Sequence, residues 1–160
     1  MRPVQSILVL LAAAAAGGCG SNDSPIRIGL AGTFDDSLTV AMLHGAELAV
    51  DDINSKGGIN GRRIELVKRN DYGDPDSAVR VANELYASDV VAVIGHSFST
   101  PTLAASPVYN SGSRPVLQVS PSASSPALSE AGAYTFRVCP SDLAHGTALA
   151  RWVRGRLNLT

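Results

Sequence analysis

The chain has 160 residues, of which 45% are hydrophobic, 17% charged and 5% aromatic, with a formal net charge of -1. That length and balance suit one globular domain with a real core, and leave neither an electrostatic footprint nor an aromatic platform for nucleic acid. Two cysteines, Cys19 and Cys139, cannot build a disulfide framework, and no Cys/His spacing points to zinc.

Residues 1–18 read as a secretory leader rather than as part of the fold. Arg2 supplies a positive end, residues 7–16 (ILVLLAAAAA) an uncharged apolar run, and Ala16-Gly17-Gly18 the small residues of a cleavage site. The run falls short of the roughly 20 residues that a spanning helix needs. Residues 19–25 are too small and polar to pack and read as a tether. Residues 26–160 then form one lobe.

From Pro25 the pattern alternates between strand and helix. Ile26, Ile28 and Leu30 alternate with Arg27 and Gly29 and run into Ala31-Gly32, a first strand ending in a turn. Met42, Ala46, Ala49, Val50 and Ile53 recur at helical spacing, with His44, Glu47, Asp51 and Asn54 on the opposite face. Ser55-Lys56-Gly57-Gly58 stops that helix, and residues 62–69 (RRIELVKR) form a second strand whose charged ends suit an exposed position. Asp71-Tyr72-Gly73-Asp74-Pro75 reads as a loop and helix start, Asp74 being the cap. Ala78, Val81, Ala82 and Leu85 mark the buried face of a second helix.

The central stretch is residues 90–102. Val90, Val91, Ala92, Val93 and Ile94 form a strand buried on both faces, Gly95 breaks it, His96-Ser97-Phe98 turn, and Ser99-Thr100-Pro101 open a helix with a hydroxyl cap. A third helix runs through Leu103, Ala104 and Tyr109, with Pro107 bending it. Residues 114–119 (RPVLQV) are a fourth strand, residues 120–126 (SPSASSP) a hydroxyl-rich turn and residues 134–138 (YTFRV) a fifth strand. A last helix covers residues 143–156, with Leu149, Trp152, Val153 and Leu157 on one stripe. The expected class is therefore α/β, a doubly wound, mostly parallel sheet with right-handed crossovers. Order 2-1-3-4-5 places a crevice at the carboxyl edge between strands one and three.

Three loops border that crevice: residues 31–37, 96–100 and 120–125. All are rich in Ser, Thr and Gly, and the last two carry no ionisable group except His96. With the dipole of the third helix they suit a small anion such as a carboxylate. They read as a binding lip and not as a catalytic centre. Gly95-His96-Ser97-Phe98-Ser99 nearly spells the G-x-S-x-G nucleophile elbow, which leaves a secreted serine hydrolase using Ser97 as the reading from another class, with His145 as the one downstream base. Asp35-Asp36 can meet a ligand ammonium or stand in a solvated turn. Asp71 and Asp74 suit turn and cap chemistry better than a metal. Cys139 reads as a small buried apolar residue. Neither a G-x-G-x-x-G nor a Walker pattern is present, so no cofactor and no metal are expected.

Ile26–Ala31, residues 44–62 (HGAELAVDDINSKGGINGR), Asp71–Pro75, Val93–His96 and Ser120–Pro126 resemble the branched-chain amino-acid-binding type of periplasmic solute-binding protein, collinearly over nearly all of residues 26–150. The resemblance implies two α/β lobes closing around a ligand and delivering it to the permease of an ABC importer, with this chain matching the amino-terminal lobe alone and looking truncated. It places Ser99 where a hydroxyl and backbone N–H hold the α-carboxylate, and Ser122 and Ala123 where backbone groups contact carboxylate and ammonium. Ser124 falls at a position whose hydroxyl and N–H bind the same groups. Leu38 takes the place of a covering aromatic ring, and His96 and Thr100 lie close by. An amino acid, branched-chain or similarly aliphatic, is the implied ligand; a receptor or sensor for amides, urea or small carboxylates is the alternative on the same fold. Ala16-Gly17-Gly18-Cys19 resembles the lipobox of bacterial lipoproteins, with Ala16 where leucine is usual. It implies lipid on the Cys19 sulfur and an extracytoplasmic, membrane-anchored protein that meets the membrane through that lipid only. The other reading of this segment is an ordinary cleaved leader with a free thiol.

Overall fold

A computed structural model of the chain describes residues 24–37 and 39–157. The leader, the lipobox with Cys19, most of the tether and Leu38 lie outside the described residues. Among these, β1 (Ile26–Gly32), β2 (Ile64–Asn70), β3 (Ala92–Ile94), β4 (Leu117–Ser120) and β5 (Thr135–Arg137) form one sheet in the order β2-β1-β3-β4-β5. Every pairing is parallel, as the alternation of elements predicts, and the order is the 2-1-3-4-5 arrangement, which that alternation does not itself fix. Helices α1 (Val40–Ser55), α2 (Pro75–Ala87), α3 (Ser99–Asn110) and α4 (Asp142–Leu157), with a 3₁₀ turn at Pro126–Glu130, complete the architecture.

Strand register sorts the side chains. Ile28, Ala92 and Leu117 share one face, while Gly29, Val93, Gln118 and Thr135 share the other. On the second face α2 contributes Ala78, Val81, Ala82 and Leu85, and α3 contributes Ala105 and Tyr109; with Ala31, Val90, Val93 and Val116 they make the core. Gln118 is fully buried there because its amide is satisfied, donating to Thr102 O at 3.3 Å and accepting from Thr135 Oγ1 at 3.1 Å. Asp74 caps α2 as its position predicts, accepting from Ser77 N–H at 2.7 Å, with Pro75 in the first turn.

Several expectations need correction. Asn54, assigned to the outer face of α1, turns to the free edge of β2, donating to Ile64 O at 2.9 Å and accepting from Ile64 N–H at 2.7 Å. Unpaired edge-strand backbone groups need partners, and a short amide supplies both. The central strand is shorter than its apolar run: pairing begins at Ala92, and Val91, at the amino edge of the sheet, is 57% exposed. The fourth strand starts at Leu117: Val116 N–H bonds Tyr109 O of the preceding helix at 2.9 Å, and the Arg114 side chain donates to the carbonyls of Tyr86 and Val90, at 3.1 and 3.0 Å. Ser99 is not a cap. Phe98 holds that position without a side-chain bond, and Ser99 is the first residue of α3. Pro107 lies inside α3; it leaves Leu103 O without its main-chain donor, and Ser106 Oγ donates there instead, at 2.9 Å. Cys139 is half-buried rather than buried. Helix α4 forms where expected but buries no residue, and Leu149, Trp152 and Leu157 are all more than 60% exposed.

Candidate functional site

Parallel strands deliver the loops after β1, β3 and β4 to the same carboxyl edge. Gly95 makes the turn after β3 possible. Its φ is +131°, and a Cβ there would stand 1.9 Å from Ala31 O. Gly32 does the same for the loop after β1, since a Cβ would meet Ser97 Oγ at 2.3 Å and Met42 Cε at 2.6 Å.

The loops after β3 and β4 are joined by three hydrogen bonds. Ser120 Oγ donates to His96 O at 2.6 Å, Ser122 Oγ donates to Ser97 O at 2.5 Å, and Ser99 Oγ accepts from Ser125 N–H at 3.1 Å. Ser99 and Ser124 therefore lie in adjoining segments at one edge of the sheet. Ser120 Oγ also accepts from Ala123 N–H at 3.1 Å, so the amide of Ala123 is engaged within the loop and its side chain is buried. The hydroxyl of Ser99 keeps its proton to donate. Those of Ser124 and Thr100 bond no side chain or main-chain group among the described residues, Thr100 standing exposed on the first turn of α3. Pro101 has no N–H and Thr102 N–H bonds Phe98 O, leaving the amides of Ser99 and Thr100 at the positive end of the helix.

Neither loop presents an exposed ionisable side chain, because the His96 ring is fully buried. It points inward to Asp71 Oδ2 through Nδ1, at 2.5 Å, and to the Tyr109 hydroxyl through Nε2, at 3.4 Å. Arg137 stands behind the second loop, donating to Ser125 O at 2.6 Å and to Ser129 Oγ at 2.8 Å. It makes no ion pair among the described residues. Burial pushes the Tyr109 phenol up from its ordinary value, and the charge of Asp71 adds to this.

Ser97 is 2% exposed, and its Oγ lies 4.0 Å from Met42 Sδ. The neighbouring imidazole is turned to Asp71, and His145 lies exposed on α4, so among the described residues no base bonds this hydroxyl. Asp35 Oδ2 accepts from Asn70 at 2.8 Å, a bond that ties its turn to the end of β2. Spacing along the chain left two participants out. Phe98, 41% exposed, lays its ring beside Thr33 and Gly73 at the rim, and Ser125 supplies the amide that meets Ser99. Both flank residues singled out for hydroxyl content, and loop closure alone brings them in. An open hollow of about 420 Å³ lined by Leu128, Ser129, Phe136 and Arg137 lies outside the two loops, beyond β5.

A five-stranded parallel sheet of this order, with hydroxyl-rich loops joined at its carboxyl edge, is an α/β fold of the periplasmic-binding-protein type. The family model described as periplasmic binding protein matches residues 25–158, and the chain belongs to that family. A Leu/Ile/Val-binding protein homolog 1 of Brucella abortus is 36% identical over 148 residues, covering 91% of this chain and 39% of the relative. The Leu/Ile/Val-binding protein of Escherichia coli K12 is 38% identical over 110 residues, 68% of this chain and 29% of the relative. Among solved structures, the branched-chain amino acid transporter substrate binding protein LivJ from Streptococcus pneumoniae, in complex with isoleucine, superposes with a TM-score of 0.75 at 33% identity, covering 84% of this chain and 39% of that one. An ABC transporter substrate-binding protein from Desulfitobacterium hafniense, in complex with Leu, gives 0.74 at 32%, covering 82% and 39%. The chain thus spans about two fifths of the length of the first of these relatives. The relatives named here are all binding proteins by name.

Proposed function

We propose that this chain is the amino-terminal lobe of an extracytoplasmic receptor that grips an amino acid and presents it to the permease of an ABC importer. The observation that carries this reading is the joining of the 96–99 and 120–125 loops into one cup without an exposed ionisable side chain. Oriented neutral dipoles desolvate a carboxylate without burying a counter-charge. Ser99 and Ser124 offer hydroxyls and backbone amides, Ser122 lends its main chain, Ala123 shapes the floor, and Thr100 stands at the rim. The similarity to proteins solved with isoleucine and leucine favours a branched-chain amino acid. A second lobe closes over the ligand, and the closed form is the one the permease recognises. Lipid on Cys19 keeps the receptor at the membrane.

Titration of the ¹⁵N-labelled chain with L-leucine, L-isoleucine and L-valine, beside urea and acetate, tests the reading. Amide shifts at Ser99, Thr100 and Ser124 that saturate with amino acids and stay flat with urea are expected. Ester turnover abolished by Ser97→Ala, or flat amides in both loops with every amino acid, overturns it.

A further inference from the structure

The buried cluster beneath the cup has no place in ligand contact. Asp71 follows β2, His96 follows β3 and Tyr109 lies on α3, so three elements meet there. In the sheet β1 separates β2 from β3, and the Asp71–His96 bond crosses over its carboxyl end. The side chains of Asp71 and His96 are 1% and 0% exposed. Three donors converge on the carboxylate: Thr33 Oγ1 at 3.3 Å and Gly73 N–H at 2.8 Å on Oδ1, and the imidazole at 2.5 Å on Oδ2. A buried acid requires that degree of satisfaction.

The proton inventory closes. A carboxylate only accepts, so Nδ1 of His96 carries its hydrogen towards Asp71. Nε2 is then the acceptor, and Tyr109, kept protonated by burial, donates to it. The same histidine works through its main chain. Its carbonyl accepts from Ser120 Oγ at 2.6 Å and from Thr102 Oγ1 at 3.1 Å, and Ser120 Oγ in turn accepts from Ala123 N–H. The path from Asp71 to the 120–125 loop is therefore continuous.

We propose that Asp71, His96 and Tyr109 form a buried positioning relay that holds the loops after β2, β3 and β4 in register with one another. Its role in ligand binding rests on the reading above; its control of loop geometry does not. Asp71→Asn keeps shape and volume but sets an amide donor against Nδ1–H, which forces the imidazole into the other tautomer, with Nε2–H facing Tyr109.

The test uses the 160-residue chain. Long-range ¹H–¹⁵N spectra read the His96 tautomer, and amide exchange reads Ala123 and Ser125 against Gln118 in β4. The expected results are an Nδ1–H tautomer in the parent chain, an Nε2–H tautomer in Asp71→Asn, and exchange at Ala123 and Ser125 about tenfold faster relative to Gln118. A milder loosening is expected in Tyr109→Phe, which keeps the ring and loses only the hydroxyl. An Nε2–H tautomer in the parent chain overturns the proposal even if Asp71→Asn does not fold. So does exchange at Ala123 and Ser125 that moves only in proportion to Gln118, the mark of a merely structural role. L-leucine titration adds a second readout, with affinity in Asp71→Asn weaker by about tenfold, the loss of one net hydrogen bond. If the parent chain shows no response to leucine, the amino-acid reading fails while the tautomer and exchange results still decide the relay.

Discussion

Ser99 does two things in the proposed site: its oxygen accepts from Ser125 N–H, and its proton is left to donate. Ser99→Ala removes both, leaving the Ser125 amide without that acceptor. Hydrogen bonds to charged groups contribute roughly 1.5–3 kcal/mol each, so L-leucine affinity, measured by titration of amide shifts, should fall about 10- to 150-fold. Ser97→Ala gives a contrasting result at a neighbouring position. That hydroxyl has only a thioether as hydrogen-bond partner among the described residues, and binding should change little. Unchanged affinity in Ser99→Ala removes that residue from the site.

At the scale of the element, α2 shows how one polar residue starts a helix. The Ser77 main-chain N–H, then its hydroxyl, hold the Asp74 carboxyl below the ordinary aspartate range. A lowered folded-state value stabilises the fold wherever the unfolded carboxyl is ionised. The contribution is therefore fully present above the ordinary range and is lost as pH falls through the folded value. Asp74→Ala should lower the thermal midpoint at neutral pH, while Asp74→Asn keeps most of it because an amide oxygen caps nearly as well. The gap between Asp74 and Asp74→Ala should close on acidification. Helix α4 behaves differently. It buries nothing, and Trp152, the one tryptophan of the chain, is 61% exposed with Arg156 stacked at 5.9 Å from its ring centre. Trp152→Ala should leave lobe stability within about 0.5 kcal/mol in a denaturant melt, and the native emission should sit at the wavelength of a hydrated indole. Its N-terminus is nevertheless tied to the cup, since Asp142 N–H donates to Ser124 O at 2.9 Å.

For the whole molecule, the proposed function makes the chain one wall of a closing receptor, and it spans about two fifths of the length of the relatives it matches. A single wall leaves much of a bound ligand in water, so leucine binding to this chain alone should be weak and should saturate only at high concentration. Membrane attachment is a separate property. Cys19→Ser should move the protein from the membrane fraction to the soluble fraction of cells expressing it, and a soluble parent protein rules the anchor out.

Much of this lobe is written locally. Periodic apolar residues, Gly57-Gly58, Asp74-Pro75 and the run ending at Gly95 mark elements through short-range sterics and hydrogen bonding, which act between near neighbours in the chain. That is why the elements, the edge position of β2 and the hydroxyl-rich loops could be read without coordinates, while the strand order, a matter of long-range pairing, is not written in local sequence. Contacts between residues distant in the chain could not. His96 looked like a lone turn residue because Asp71 is 25 positions away, Asn54 looked solvated because its partner is an edge strand, and Ser99 looked like a cap because its partner amide is 26 positions on. Each of these pairings costs chain entropy to close and is chosen only once the sheet has brought both ends together. Sequence chemistry supplied the donors and acceptors of the cup, and packing chose their partners.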